Sequence, residues 1–116
     1  MIVLRKIIVY KDNFIKLYQS QDNKTQEKIE YVLDLVRFEE YVPKKFFKYI
    51  DNSDGIYEIR VITTFKSIRI LCFFDEGNII VLTNCFLKKT QKTPGKEIKF
   101  TERLKKEYMI EKYGGQ

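Results

Sequence analysis

The sequence predicts an α+β fold: a small, twisted, mainly antiparallel sheet with two helices before it and one after it, in the order β-α-α-β-β-β-α. Two observations carry this. IYEIRVIT, SIRILCFF and NIIVLTNCFL are strand-like runs in close succession, the last two joined by the turn sequence DEGN. Helical periodicity flanks them, with Ile29, Val32, Leu33 and Val36 at i, i+3, i+4 and i+7 on one side and a segment from Pro94 to Lys112 on the other. With 116 residues, 44% hydrophobic and 33% charged, the chain has the make-up of one globular unit, read as a single domain over residues 1–116.

Taken in order, IVLRKIIVY reads as a strand whose charged interruption at Arg5 and Lys6 suits an edge position. DNFIKLYQS reads as a short helix or turn. Asp22 or Asn23 can then cap a helix running to about Phe38. After Pro43, PKKFFKYI reads as a short helix carrying Lys44, Lys45 and Lys48 beside two phenylalanines, and DNSDG breaks the chain. The strands come next. Thr93 is placed to cap the last helix, with Pro94 at its first position.

The residue types restrict the chemistry. Lys+Arg of 22 against Asp+Glu of 16 gives a net charge of +6, which favours anionic partners: nucleic acid, an acidic protein or a membrane surface. No apolar run approaches the roughly 18 residues of a membrane span, and charge breaks the N-terminal run unlike a signal peptide, so a cytoplasmic protein is expected. Cys72 and Cys85 lie in apolar strand runs without metal or redox spacing and read as buried thiols. The chain has no histidine, so the usual acid/base group is missing and catalysis must use lysine, arginine, tyrosine, carboxylate or the substrate's own groups. No cofactor or metal is expected.

Strand register selects the candidates. A symmetric TTFK turn makes facing residue numbers sum to 129, placing Arg60 opposite Arg69. A two-residue DEGN turn makes them sum to 153, placing Arg69 opposite Asn84. One face then carries Tyr57, Ile59, Val61, Ile68, Ile70, Cys72, Phe74, Ile79, Val81, Thr83 and Cys85, an apolar bed for helices. The other carries Glu58, Arg60, Arg69, Leu71, Phe73, Leu82, Asn84 and Phe86. Arginines opposite one another repel unless an anion lies between them, and guanidinium matches phosphate bidentately. KKTQKTP, Lys88 to Pro94, adds three lysines and a helix start at the end of the same strand, with Lys88 on the arginine side. A solvated turn is the competing reading of this loop, and neutralisation of Arg60 by Glu58 the competing reading of the row.

These residues also carry a resemblance. GIYEIRV, RILCFFDEGNIIVLTNCFLKKTQKTP and KEIKFTERLKKEY resemble the phage-derived, HigB-like branch of the RelE/ParE toxin superfamily. Its members read approximately as G-L-Y-E-L-R, then Y-F-F-D-x-G-x-x-I-V-L-L-x-x-F-x-K-K-T-x-K-T-P, then E-I-x-x-A-x-x-R. The match covers about Gly55 to Tyr108, and Asn84 and Thr101 stand where many relatives have histidine and alanine. The resemblance implies a RelE-like fold and the toxin of a type II toxin–antitoxin pair: a ribosome-dependent mRNA endonuclease silenced by a helix-turn-helix antitoxin. By position it implies Arg60, Arg69, Lys88 and Lys89 as catalytic residues. Asn84, Lys92, Lys44, Lys45 and Phe86 are the candidates for holding RNA. A gyrase inhibitor of the ParE kind and a cleavage-inactive RNA-binding module are the alternatives.

Overall fold

The computed structural model describes residues 2–114; Met1, Gly115 and Gln116 lie outside the described residues. The elements run β1 (Lys6–Val9), α1 (Asn13–Gln19), α2 (Asn23–Phe38), β2 (Phe47–Tyr49), β3 (Ile56–Ile62), β4 (Ser67–Phe74), β5 (Ile79–Leu87) and α3 (Gly95–Tyr113). They build one five-stranded sheet in the order β1-β5-β4-β3-β2, antiparallel except for β1, which runs parallel to β5. The α+β class, the two N-terminal helices and the C-terminal helix are as the sequence predicts, in the arrangement of a RelE-like fold.

The helices divide between the two faces. Ile29, Val32, Leu33 and Val36 of α2 and Phe14 of α1 bury against Ile59, Val61, Ile68, Ile70, Cys72, Ile80 and Leu82. On the opposite face Tyr108 of α3 packs with Ile56, Leu71, Phe73 and Val81. Burying apolar area on both faces, at roughly 25 cal/mol per Å², is what holds three layers together.

Local chemistry fixes the helix ends. The Asp22 side chain accepts the Thr25 N–H at 2.8 Å, capping α2 as expected. Arg5 answers at the other end, donating to the carbonyls of Val36 (3.0 Å), Glu39 (2.8 Å) and Glu40 (3.0 Å), groups a helix C-terminus leaves without partners. The charged break in the first strand is therefore a C-terminal clamp, and the strand itself is only Lys6–Val9.

Three expectations need correction. PKKFFKYI makes a single turn, in which Phe46 and Phe47 N–H both reach the Pro43 carbonyl, and then continues as edge strand β2. Thr93 does not cap α3: Pro94 holds the N-cap position without a side-chain bond, and the Thr93 hydroxyl is used elsewhere. The β4–β5 register is also displaced. The turn closes from Asp75 N–H to Ile79 C=O with Gly77 at φ 59, which makes a three-residue loop rather than a two-residue one. A bulge then sets Ile70 opposite Cys85 but Cys72 opposite Leu82, so β5 spends one residue more than β4. Arg69 consequently faces Phe86, not Asn84, and the predicted Arg60–Arg69–Asn84 row does not form. Before the bulge the parity of β5 is inverted, so Val81 points to α3 and Leu82 to the other helices.

Candidate functional site

β3 and β4 keep the predicted register, with Arg60 directly opposite Arg69 on the α3 face. Between them sits Glu58, two residues before Arg60 and therefore on the same face. Its Oε1 lies 3.5 Å from Arg69 Nε and its Oε2 3.7 Å from Arg60 Nε. The Thr93 hydroxyl donates to Oε1 at 2.6 Å. A buried carboxylate thus ties two strands and the start of α3 to one point.

The two arginines differ in access. Arg69 is 2% exposed and donates to Ser67 Oγ at 3.0 Å and to the Ile68 carbonyl at 3.3 Å. Burial pushes its guanidinium pKa down, Arg60 pushes it further, and Glu58 opposes both. Arg60 instead reaches an open cleft of about 370 Å³, whose cations are Lys48, Arg60, Lys88 and Lys92 and whose floor includes Glu58. The Nε atoms of Arg60 and Arg69 are buried without a hydrogen-bond partner, so both guanidiniums meet Glu58 by charge and not by a formed bond.

The segment after β5 brings the lysines in. Lys88 N–H donates to the Ser67 carbonyl at 2.7 Å, extending the ladder one residue past β5, and its ammonium donates to the Gln91 carbonyl. Its pKa is pushed down by burial and then by Arg69, against the pull of Glu58, with Arg60 and Lys48 adding to the fall. At the base of the segment Asn84 is buried; its amide donates to Glu97 Oε1 at 2.9 Å and its carbonyl accepts Cys85 N–H at 2.9 Å. Asn84 therefore pins the first turn of α3 to β5.

Of the residues singled out in the sequence, Arg60, Lys88 and Lys92 come together in the cleft, with Arg69 beneath its floor. Lys89 and Lys44 are exposed and do not line it. Lys45 lies over the Phe46 ring at 5.1 Å, in a small groove that Arg60 also borders. Phe86 is half-buried and packs into the α3-side core. Lys48 is the cleft cation that the sequence does not single out. A strand, not a helix, at Phe47–Tyr49 puts it directly opposite Glu58, and its alternation with Phe47 is the available signal.

The far end of α3 holds the tyrosines. Tyr108 and Tyr113 hydroxyls donate to Asp75 at 2.6 Å each, and Lys112 donates at 2.5 Å. Tyr108 lies 13 residues beyond Gly95, a rise of about 20 Å, so neither hydroxyl belongs to the cleft. Cys72 is buried and Cys85 half-buried; burial raises both thiols, Cys85 to about 12. Among the described residues no three acids or cysteines gather as a metal site would need, and no helix is long and apolar enough to cross a membrane.

Among curated proteins none matches the chain. Residues 17–106, most of the chain and all of β2 to β5, match the family model described as Phage derived protein Gp49-like (DUF891). The chain therefore belongs to that family, which is RelE-like and associated with toxin–antitoxin systems.

Proposed function

We propose that the protein is the toxin of a type II toxin–antitoxin pair and that it cuts mRNA on the ribosome in the cytoplasm, under the control of a helix-turn-helix antitoxin. One observation carries this reading: Arg60, Lys88, Lys48 and Lys92 converge on a single open cleft over a carboxylate that is itself held in place. RNA brings its own nucleophile, so the protein need only align the 2′-OH with the scissile phosphate and stabilise the added negative charge. The FLKKTQKTP segment supports the narrower HigB-like assignment.

In the mechanism that fits these positions, the 2′-oxygen attacks phosphorus and the bond to the 5′-oxygen breaks. The products are a 2′,3′-cyclic phosphate and a 5′-OH end, the departing 5′-oxygen taking its proton from water. Arg60 meets the non-bridging oxygens. Lys88, as the neutral amine, takes the 2′-OH proton, a role for which a lowered pKa is the requirement. Glu58 holds Arg60 in position and the buried Arg69 holds Glu58 in turn; neither touches the substrate.

To test the reading, the protein is induced without antitoxin and transcript ends are mapped by ligation chemistry selective for 5′-OH. New ends within translated frames are the expected result. Intact transcripts with DNA-damage signalling would replace this reading with gyrase inhibition.

The Lys88 assignment has its own signature. The neutral fraction of a base grows as pH rises through its pKa, so cleavage should climb with pH, along a limb lying below the ordinary lysine range because Lys88 is shifted down. In Lys88→Arg, which keeps the charge but cannot give up its proton near neutrality, the limb should vanish and the rate fall about 10²-fold. Single-turnover rates against pH decide it; an unchanged profile in the variant removes Lys88 from proton transfer.

A further inference from the structure

One groove outside the cleft shares a residue with it, and a second groove shares residues with the first. Arg60 lines the cleft and also a groove of about 170 Å³ whose walls include Lys28, Lys45 and Ile62. Lys28 and Ile62 then belong to a broader groove of about 590 Å³ between the first turns of α2 and the β3–β4 turn, where Lys24, Phe65 and Lys66 stand. Shared lining residues thus link the three concavities, from the α3 face that carries Arg60 to the side of the sheet where α2 packs. β3 advances about 3.3 Å per residue, so the path runs on the order of 10–15 Å from Arg60 to the turn.

The chemistry along it is uniform. Lys24, Lys28 and Lys45 make no ion pair among the described residues. Asp22 is the one carboxylate on the two outer grooves, and it already accepts Thr25 N–H and faces Lys66 at 3.6 Å. At the far end Phe65 is 93% exposed and Ile62 52%. The turn that carries Phe65 is closed by Thr63 N–H to the Lys66 carbonyl (2.9 Å) and Lys66 N–H to Thr63 Oγ1 (3.0 Å), so the ring stands out from an ordered hairpin. A bare aromatic ring among unpaired lysines is the combination that binds single strands, with cations on the backbone and a ring under a base. A protein interface would surround such a ring with apolar neighbours and few charges.

We propose that this path holds a single strand of RNA on one side of the scissile phosphate, with Lys24, Lys28 and Lys45 on its phosphates and Phe65 stacked on a base. The proposal rests on the nuclease reading and adds to it a direction: the bound strand leaves the cleft past Arg60 toward the β3–β4 turn.

The test uses the whole chain and fluorescent RNA made uncleavable by 2′-O-methylation, in lengths from about three to about twelve nucleotides, followed by anisotropy at several salt concentrations. Wild-type affinity should rise with length and then level off. Phe65→Ala should weaken the longest strand about tenfold and leave the shortest unchanged. The double variant Lys24→Ala/Lys28→Ala should lower the salt slope for the long strand by about 1.4, two phosphate contacts at roughly 0.7 each. Arg60→Ala should weaken every length. If short strands bind and depend on Arg60 but neither length nor Phe65 matters, the path is refuted while the nuclease reading stands. If no length binds, the path is refuted, and the nuclease reading falls with it only if induction also leaves transcripts without new 5′-OH ends. A Phe65→Ala protein that binds all strands normally yet loses cleavage only on ribosomes would assign the hairpin to a folded ribosomal surface, and would overturn the single-strand proposal.

Discussion

Arg60→Ala should lower mRNA cleavage by about 10²- to 10³-fold, the scale for removing a donor aimed at charge that develops in the transition state. Arg60 is the arginine the substrate can reach: it borders the cleft, whereas Arg69 lies beneath the floor with its guanidinium turned to Ser67 and Ile68. Folding should survive the change. The Arg60–Glu58 contact is 3.7 Å without a formed hydrogen bond, and removing one of two directly opposed arginines relieves repulsion across the β3–β4 pair. Arg69 offers no such clean substitution, because it is buried and its loss would open space under Glu58. The measurement is growth arrest and transcript ends after induction without antitoxin, beside a thermal melt. A folded Arg60→Ala protein that still arrests growth and cuts at the same positions would place the charge stabilisation on Lys48, Lys88 and Lys92 instead.

Asp75→Asn should cost about 2–3 kcal/mol of stability at neutral pH, the scale for losing hydrogen bonds to a buried charged group. Asp75 begins the β4–β5 turn, is buried, and accepts from Tyr108, Tyr113, Lys112 and the Glu76 N–H within 2.7 Å. Burial alone would raise its pKa, but the bonds from Lys112, Tyr108, Tyr113 and Glu76 outweigh it and hold the carboxyl well below the usual carboxylate range. The sign follows from that depression. The stability it confers is present in full above the unfolded pKa of about 3.9 and is lost as pH falls toward the folded value. Denaturant melts should therefore show a wide gap between wild type and variant at pH 7, narrowing below about pH 4. A gap of the same size at both pH values would mean that shape, not charge, fastens α3.

The sequence discloses the features that depend on periodicity and misses those that depend on geometry. The apolar stripe of α2 and the alternation of β3 and β4 follow from side-chain period alone, and the symmetric TTFK turn places Arg60 opposite Arg69. The β4–β5 register depends on two single-residue events. One is a third loop residue at Gly77 and the other a bulge near Thr83, where the hydroxyl donates to the Leu71 carbonyl and Asn84 turns toward Glu97. Neither changes the apolar pattern of the strand, since β5 is apolar on both faces before the bulge. At β2, Pro43 does start a helical turn; only pairing with β3 converts Phe47–Tyr49 into an edge strand. The cleft is thus legible in Arg60, Lys88 and Lys92. The pairing of Glu58 with Arg60 is legible too, whereas Lys48 is hidden by the helical look of its segment and the bond from Thr93 to Glu58 by a separation of 35 residues.

The position of β1 sets how late in synthesis the sheet can be completed. Its partner is β5, with Lys6 opposite Ile79, a separation of 79 − 6 = 73 residues. The first strand therefore emerges with nothing to pair with, and such distant pairings form late. The cleft is later still, because Lys88, Lys92 and Thr93 come after β5, and α3 is fastened only when Lys112 and Tyr113 reach Asp75. A chain that stops after Pro94 has all five strands but lacks the helix that brings Ile98 to the cleft and Tyr108, Lys112 and Tyr113 to Asp75, so on the reading proposed above the cleft is completed only when α3 docks.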